Sequence, residues 1–158
     1  MNILKNFLEN YSDLKLVSNS VKTHKLGKND KTVLVIDDSR TALVSIQKMV
    51  RSCNFDCLVA GDALDGIVIA EQLQPDLILM DVEMPGMNGF QATRALRENP
   101  ITANIPVIII SGTVTPVEQM WGKKIGANGF LPKPMKPSAF IEKAEALLYS
   151  SFANVSNL

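Results

Sequence analysis

The chain has 158 residues and carries 16 Lys and Arg against 16 Asp and Glu. That length suits one domain around a single core, and the balanced charge argues against nucleic acid as the main partner. The longest apolar runs, 33–36, 77–80 and 105–110, fall far short of the ~20 residues a membrane span needs. Met1 to Asn10 lacks an uninterrupted apolar stretch and a small-residue cleavage site, so no secretory signal is read there and a cytoplasmic protein is expected.

Residues 1–30 stand apart from the remainder of the chain. Ile3, Leu4, Phe7, Leu8, Tyr11 and Leu14 recur at helical spacing and predict a short amphipathic helix. Lys22 to Lys31 is polar and reads as a linker, with His24, the one histidine, as a solvated side chain within it rather than an internal phosphodonor. The extension carries five Lys against three acids, net +2. Its apolar stripe has three readings: a helix docked on the domain, a homodimer contact, or a disordered leader. The expected organisation is an extension over 1–30, a main domain over 31–150 and a tail over 151–158.

From Lys31 onward, short apolar runs alternate with helical patterns, the sequence form of βα units around a parallel sheet. Strand 1 is read over Thr32 to Ile36, with Asp38 or Ser39 capping helix 1. Strand 2 covers about Asp56 to Ala60, and helix 2 runs from Asp62 to a stop before Pro75. Strand 3 is read over Asp76 to Met80, and helix 3 over about Gly89 to Glu98. Strand 4, Ile105 to Ile110, is apolar without alternation, as befits a strand covered on both faces. Thr115 caps and Pro116 opens helix 4, which ends at Gly126. Strand 5 is the short run Gly129 to Leu131, and Pro137 opens helix 5, which continues to about Ser150. The three most apolar runs, strands 1, 3 and 4, belong in the middle of the sheet. Cys53 and Cys57 offer too few ligands for a structural zinc and read as two reduced thiols.

In an open parallel sheet the ligand site lies beyond the carboxyl ends of the strands. Strand 1 ends in Asp37-Asp38, strand 3 in Asp81, strand 4 in Ser111-Gly112, and strand 5 runs into Lys133-Pro134, whereas strand 2 ends in Ala60-Gly61 and offers nothing. Any one deposit alone reads as a cap, a turn or a solvated loop residue; four together point to a site. Three crowded carboxylates call for a cation, and Mg²⁺ or Mn²⁺ suits an all-oxygen set. Asp38 and Asp81 would bind it directly, Asp37 through water, and the Glu83 carbonyl would complete the set. An oxygen of Asp81 could then attack phosphorus, with Lys133 and Ser111 meeting the phosphoryl oxygens and Gly112 leaving the approach open.

VLVIDDS at 33–39, LILMDVEMPGMNGF at 77–90, VIIISG at 107–112 and GFLPKP at 129–134 resemble the acidic-pair, phosphoacceptor, switch-hydroxyl and lysine blocks of bacterial two-component response regulator receiver domains. The resemblance covers about Lys31 to Ser150. It implies a flavodoxin-like, doubly wound (βα)5 fold with sheet order 2-1-3-4-5, phosphorylation of Asp81 by a histidine kinase, movement of Ser111 toward the phosphoryl group with Phe130 following, and a cis bond before Pro134. Phosphorylation is expected to reshape the face of helix 4, strand 5 and helix 5, including Trp121 and Phe130, and so to change affinity for a downstream protein. NGFQATRALRENPITANIPVIII with WGKKIGA is similar to stand-alone regulators of type IV pilus twitching motility. The chain departs from the family at Gly112, where Ala is common, and at the charged Glu83.

Three rival functions fit the residues less well, and one of them, a pure interaction module with a decayed acid site, is opposed by the presence of Asp81, Ser111 and Lys133 together. A phosphohydrolase of the haloacid dehalogenase type would place its nucleophile on the first strand with another Asp two residues on, whereas here an acid pair comes first and Glu stands at 83. A flavin or nucleotide carrier would need a phosphate loop after strand 1, where Asp37-Asp38 stands instead. Slow self-hydrolysis of the acyl phosphate is expected, and turnover of outside substrates is not.

Overall fold

The computed structural model describes residues 31–149. The stripe at 3–14, His24 and the C-terminal tail lie outside the described residues. Within them the chain alternates β1 (Thr32–Ile36), α1 (Arg40–Ser52), β2 (Asp56–Ala60), α2 (Ala63–Leu73), β3 (Leu77–Asp81), α3 (Gly89–Glu98), β4 (Val107–Ser111), α4 (Pro116–Lys124), β5 (Gly129–Pro132) and α5 (Pro137–Tyr149). All strand pairs are parallel, in the order β2-β1-β3-β4-β5. The expected order and the central placing of the three most apolar strands both hold.

The strand pleat sorts side chains between two cores. Leu34, Ile36, Ile78, Met80, Val107 and Ile109 face α2 and α3, where Ala63, Ala70, Ala92 and Leu96 pack against them. Val33, Val35, Leu77, Leu79, Ile108 and Ile110 face α1 and α5, against Ile46, Val50, Phe140 and Ala144. Every residue of β3 and β4 is buried, so these strands show no polar alternation. Phe55 and Phe140 meet edge to face on the second side at 5.5 Å.

Helix starts follow from capping chemistry. Ser39, Asp62, Asn88 and Thr115 accept hydrogen bonds from main-chain N–H groups in the first turns of α1 to α4. At the start of α1 the cap is Ser39 rather than Asp38, and Asp62 stands as the cap of α2 rather than its first helical residue. Asn88 with Gln91, and Thr115 with Glu118, form reciprocal capping boxes.

Strand β5 runs one residue further than expected, to Pro132, and β4 one further, to Ser111; three other differences have a local cause. Strand β3 starts and ends one residue later, because the Asp76 carboxylate leaves the strand to accept from the Thr32 amide at 2.8 Å. Strand β4 begins at Val107 because Pro106 has no N–H to give the ladder; its carbonyl alone accepts, from Ile78. Helix α4 closes at Lys124 because Gly126 takes a left-handed φ of 96°.

Two contacts not anticipated from sequence hold the sheet end and the α3 start in place. The Arg97 guanidinium, half-buried, donates to the carbonyls of Gly126 at 2.9 Å and Ile105 at 2.8 Å and to Asn128 Oδ1 at 2.8 Å. Asn128 Oδ1 also accepts from Val107 N, so α3, β4 and the α4–β5 turn share one polar knot. At the opposite end of α3, Gly89 lies so close to the Asp81 carbonyl that a β-carbon there would collide with it. Gly61, by contrast, borders open space. Gly89→Ala should therefore lower stability by about 2–3 kcal/mol, while Gly61→Ala should stay within about 0.5 kcal/mol of the parent; thermal unfolding of the two variants side by side checks this.

Candidate functional site

The site sits where the sheet changes direction, between β1 and β3. Pairing of Ile36 with Met80 sets Asp37 level with Asp81 on adjacent strands. Strand β4 ends in Ser111 opposite Pro132, and Lys133 N donates to the Ser111 carbonyl at 2.8 Å, which directs the next side chain over the sheet end. Three of the four strand-end deposits, Asp37-Asp38, Asp81 and Lys133, thus meet at one end of the sheet, and Ser111 closes the neighbouring strand β4 at that same end.

Asp37 is fully buried, Asp81 is buried, and Asp38 is exposed. Carboxylate oxygens of the three lie within 4.8 Å of one another. Lys133 Nζ stands 2.6 Å from Asp37 Oδ2 and 3.0 Å from Asp81 Oδ1. The second oxygen of Asp37 accepts from Ser39 N at 2.9 Å, which ties the acid to the start of α1. Lys133 enters through a cis bond to Pro134, as the motif resemblance implied.

Burial pushes the Asp81 carboxyl above the usual carboxylate range; the Lys133 hydrogen bond pulls it back, and the nearby Asp37 and Asp38 charges push it up further. For Lys133, burial alone would lower the ammonium, but its hydrogen bonds to Asp37 and Asp81 prevail and hold it above its ordinary value. The lysine is therefore a fixed cation, and Asp81 is a carboxylate that lacks enough positive charge.

The structure places the other expected site residues less uniformly. Ser111 is buried, but its hydroxyl donates to the Thr113 carbonyl at 2.7 Å and accepts from Thr113 N at 3.2 Å. Gly112 is exposed, with open space where a β-carbon would stand. Glu83 is exposed on the loop after β3. Phe130 is half-buried, packs against the α2–α3 side core, and lies against Gly122 so tightly that a β-carbon there would overlap its ring. Thr113 was missed from the sequence, since a main-chain partner two residues away leaves no side-chain signature. Cys53 and Cys57 are free, and burial pushes the Cys57 thiol up to about 12, which leaves it protonated and inert.

The fold and this strand-end constellation place the chain in the response regulator receiver domain family, whose sequence profile matches residues 33–145. Among characterised relatives, the chain is 38% identical over 116 residues to Protein PilH of Pseudomonas aeruginosa, a match covering 73% of this chain and 96% of PilH. The fold is similar to that of the chemotaxis protein CheY4 of Vibrio cholerae, with a TM-score of 0.71, 26% identity and coverage of 75% of this chain and 98% of that one. It is also similar to the receiver domain of the sensor histidine kinase PA1611 of P. aeruginosa PAO1, solved with magnesium in its active-site cleft, at a TM-score of 0.69, 24% identity and coverage of 75% and 97%. The chain is thus a response regulator receiver domain, a phosphoacceptor switch by family. No helix among the described residues is long and apolar enough to cross a membrane.

Because the folded Asp81 carboxyl titrates above its ordinary value of 3.8, its protonated form is favoured by folding. The stability it contributes is whole below that value and is lost as pH rises through the higher folded value. At neutral pH without divalent cations, Asp81→Asn should stabilise the fold by on the order of 1 kcal/mol, and the gain should vanish at acid pH. Thermal unfolding of both proteins across pH measures it.

Proposed function

We propose that Asp81 accepts a phosphoryl group from a phosphohistidine on a kinase partner, and that the phosphorylated domain signals by changed contact with a downstream protein. A carboxylate oxygen of Asp81 forms the new O–P bond while the P–N bond to the donor imidazole breaks and the imidazole leaves. The observation that carries this reading is the placement of Lys133 between Asp37 and Asp81 within an acid cluster 4.8 Å across.

The donor set fits a hard divalent cation: three carboxylates, all oxygen, two of them buried, with a single lysine as counter-charge. Asp38 and Asp81 would hold Mg²⁺ or Mn²⁺ directly, Asp37 through water, and the Glu83 carbonyl would add a ligand; Asp37 suits the outer role because both its oxygens already accept from Lys133 and Ser39. When bound, the ion neutralises the carboxylates and the oxygens of the incoming group.

The protein's own groups do the rest. Lys133 swings its charge from Asp81 toward a phosphoryl oxygen. Ser111 exchanges its two Thr113 bonds for a bond to another such oxygen, and Phe130, loosened from Gly122, follows the vacated space. Gly112 leaves phosphorus open to the donor and afterwards to water, so the acyl phosphate hydrolyses slowly on its own. Strand β5 lies between α4 and α5, and this face carries the change to the partner. We assign the chain to the cytoplasm, where its kinase would phosphorylate it, and to twitching-motility or chemotaxis-like signalling, on the strength of its likeness to PilH.

Incubation with acetyl phosphate and Mg²⁺, followed by intact-mass measurement, should show one added phosphoryl group. Omission of the metal, or Asp81→Asn, should abolish it. Lys133→Ala should slow labelling by on the order of 100-fold, and Ser111→Ala should label yet lose the phosphorylation-dependent change at α4 and β5. Labelling that persists in Asp81→Asn would refute the assignment.

A further inference from the structure

Arg97 is a half-buried cation that pairs with no carboxylate among the described residues. Burial works against its charge, so the guanidinium has to be satisfied by neutral acceptors, and it finds three: the carbonyls of Gly126 and Ile105 and Asn128 Oδ1. A planar fork bound on all sides has little freedom to turn, which makes it a fixing point rather than a surface charge.

What it fixes is the C-terminal end of α4. That end closes in a Schellman turn: Gly126 takes a φ of 96°, its amide donates to the Lys123 carbonyl at 3.1 Å, and the Ala127 amide donates to the Gly122 carbonyl at 2.8 Å. The Arg97 stem lies over this turn, since a β-carbon on Gly126 would stand 3.0 Å from its Cγ and Nε, and its charge sits at the negative end of the helix. Asn128 carries the hold onward, because its amide donates to the Val107 carbonyl at 2.8 Å and its Oδ1 accepts from the Val107 amide at 2.9 Å. The end of α4 is thereby fastened to α3 and to the first residue of β4.

The other end of α4 has no such hold. No residue from 112 to 121 is buried, and the bonds of Thr113, Thr115 and Glu118 run within residues 111–119. The connection to the site is the Ser111 hydroxyl, bonded to Thr113 two residues before the Thr115 cap. A displacement of Ser111 is thus passed to the start of a helix about 14 Å long whose far end is tied down.

We propose that Arg97 is the pivot of α4: a positioning residue that holds residues 125–128 still while movement of Ser111 swings the helix at Thr115 to Met120. The swing rests on the reading of Asp81 as phosphoacceptor; the hold on residues 125–128 does not.

Site-resolved amide hydrogen exchange on the full chain tests this, with intact mass scoring phosphorylation by acetyl phosphate and Mg²⁺. In the parent, phosphorylation should speed the Gln119 amide about tenfold and leave Ala127 within about twofold. Arg97→Lys, whose single ammonium cannot serve three acceptors, and Asn128→Ala, which removes one of them, should take up the phosphoryl group to the parent level but let the increase reach Ala127. Without phosphorylation both variants should already exchange Ala127 about tenfold faster than the parent, while the Ile109 amide of β4 stays slow. An increase at Ala127 equal to that at Gln119 in the phosphorylated parent would overturn the proposal. So would variants that keep the parent's pattern, or that speed Ile109 as much as Ala127, the mark of general destabilisation. A parent that gains no phosphoryl mass would remove the Asp81 reading and the swing with it, while the unphosphorylated variants still decide the hold.

Discussion

Two carboxylates buried side by side repel, and burial makes each harder to ionise. In this chain the Lys133 ammonium stands between Asp37 and Asp81 at 2.6 and 3.0 Å, and the rest of the site is arranged around that placement. Burial holds Asp81 above its ordinary range in spite of the Lys133 hydrogen bond, the neighbouring acids add to the shift, and Lys133 is held charged. The excess negative charge gives the cleft an appetite for a further cation, and a group bearing oxygens of its own can draw the lysine away. Electrostatic incompleteness is therefore the property that chemistry at this site would use.

The scaffold has to deliver these groups to one point against the tendency of strand ends to fray. It does so by seating the strands in cores on both faces of the sheet, and by tying down the loops that follow them. Asp37 is fixed through the Ser39 amide, the main chain after Asp81 by the close approach of Gly89, and the start of Lys133 by its amide bond to the Ser111 carbonyl. The far end of the sheet is held by Arg97, which joins α3, β4 and the α4–β5 turn through three acceptors without a carboxylate partner. A site at one end of a parallel sheet thus depends on polar knots at both.

Mobility is placed differently. Ser111 spends its hydroxyl on Thr113, a bond that can be exchanged without opening a core. Helix α4 is anchored through Gly122 and the Phe130 ring, so small movements near β5 can shift it at low cost in buried area. The large exposed apolar residues Val117, Met120 and Trp121 thus stand on a helix of which only Gly122 is buried.

The sequence alone determined the number, type and order of the secondary elements of the described residues, and which residues would stand at the strand ends. Those are local properties: apolar runs of strand length, capping residues and Pro or Gly breakers act within a few positions, so Thr32–Ile36, Asp56–Ala60 and Gly89–Glu98 were legible to the residue. The motif resemblance added the sheet order and the expectation that Lys133 would face Asp37 and Asp81. Only the tertiary structure decided the actual partners. Lys133 meets Asp37 across 96 residues of chain, Arg97 finds acceptors up to 31 residues away, and Gly89 matters because of a backbone it touches only in the folded state. Contacts of that range are set by how the layers pack, and packing leaves no periodic trace along the chain.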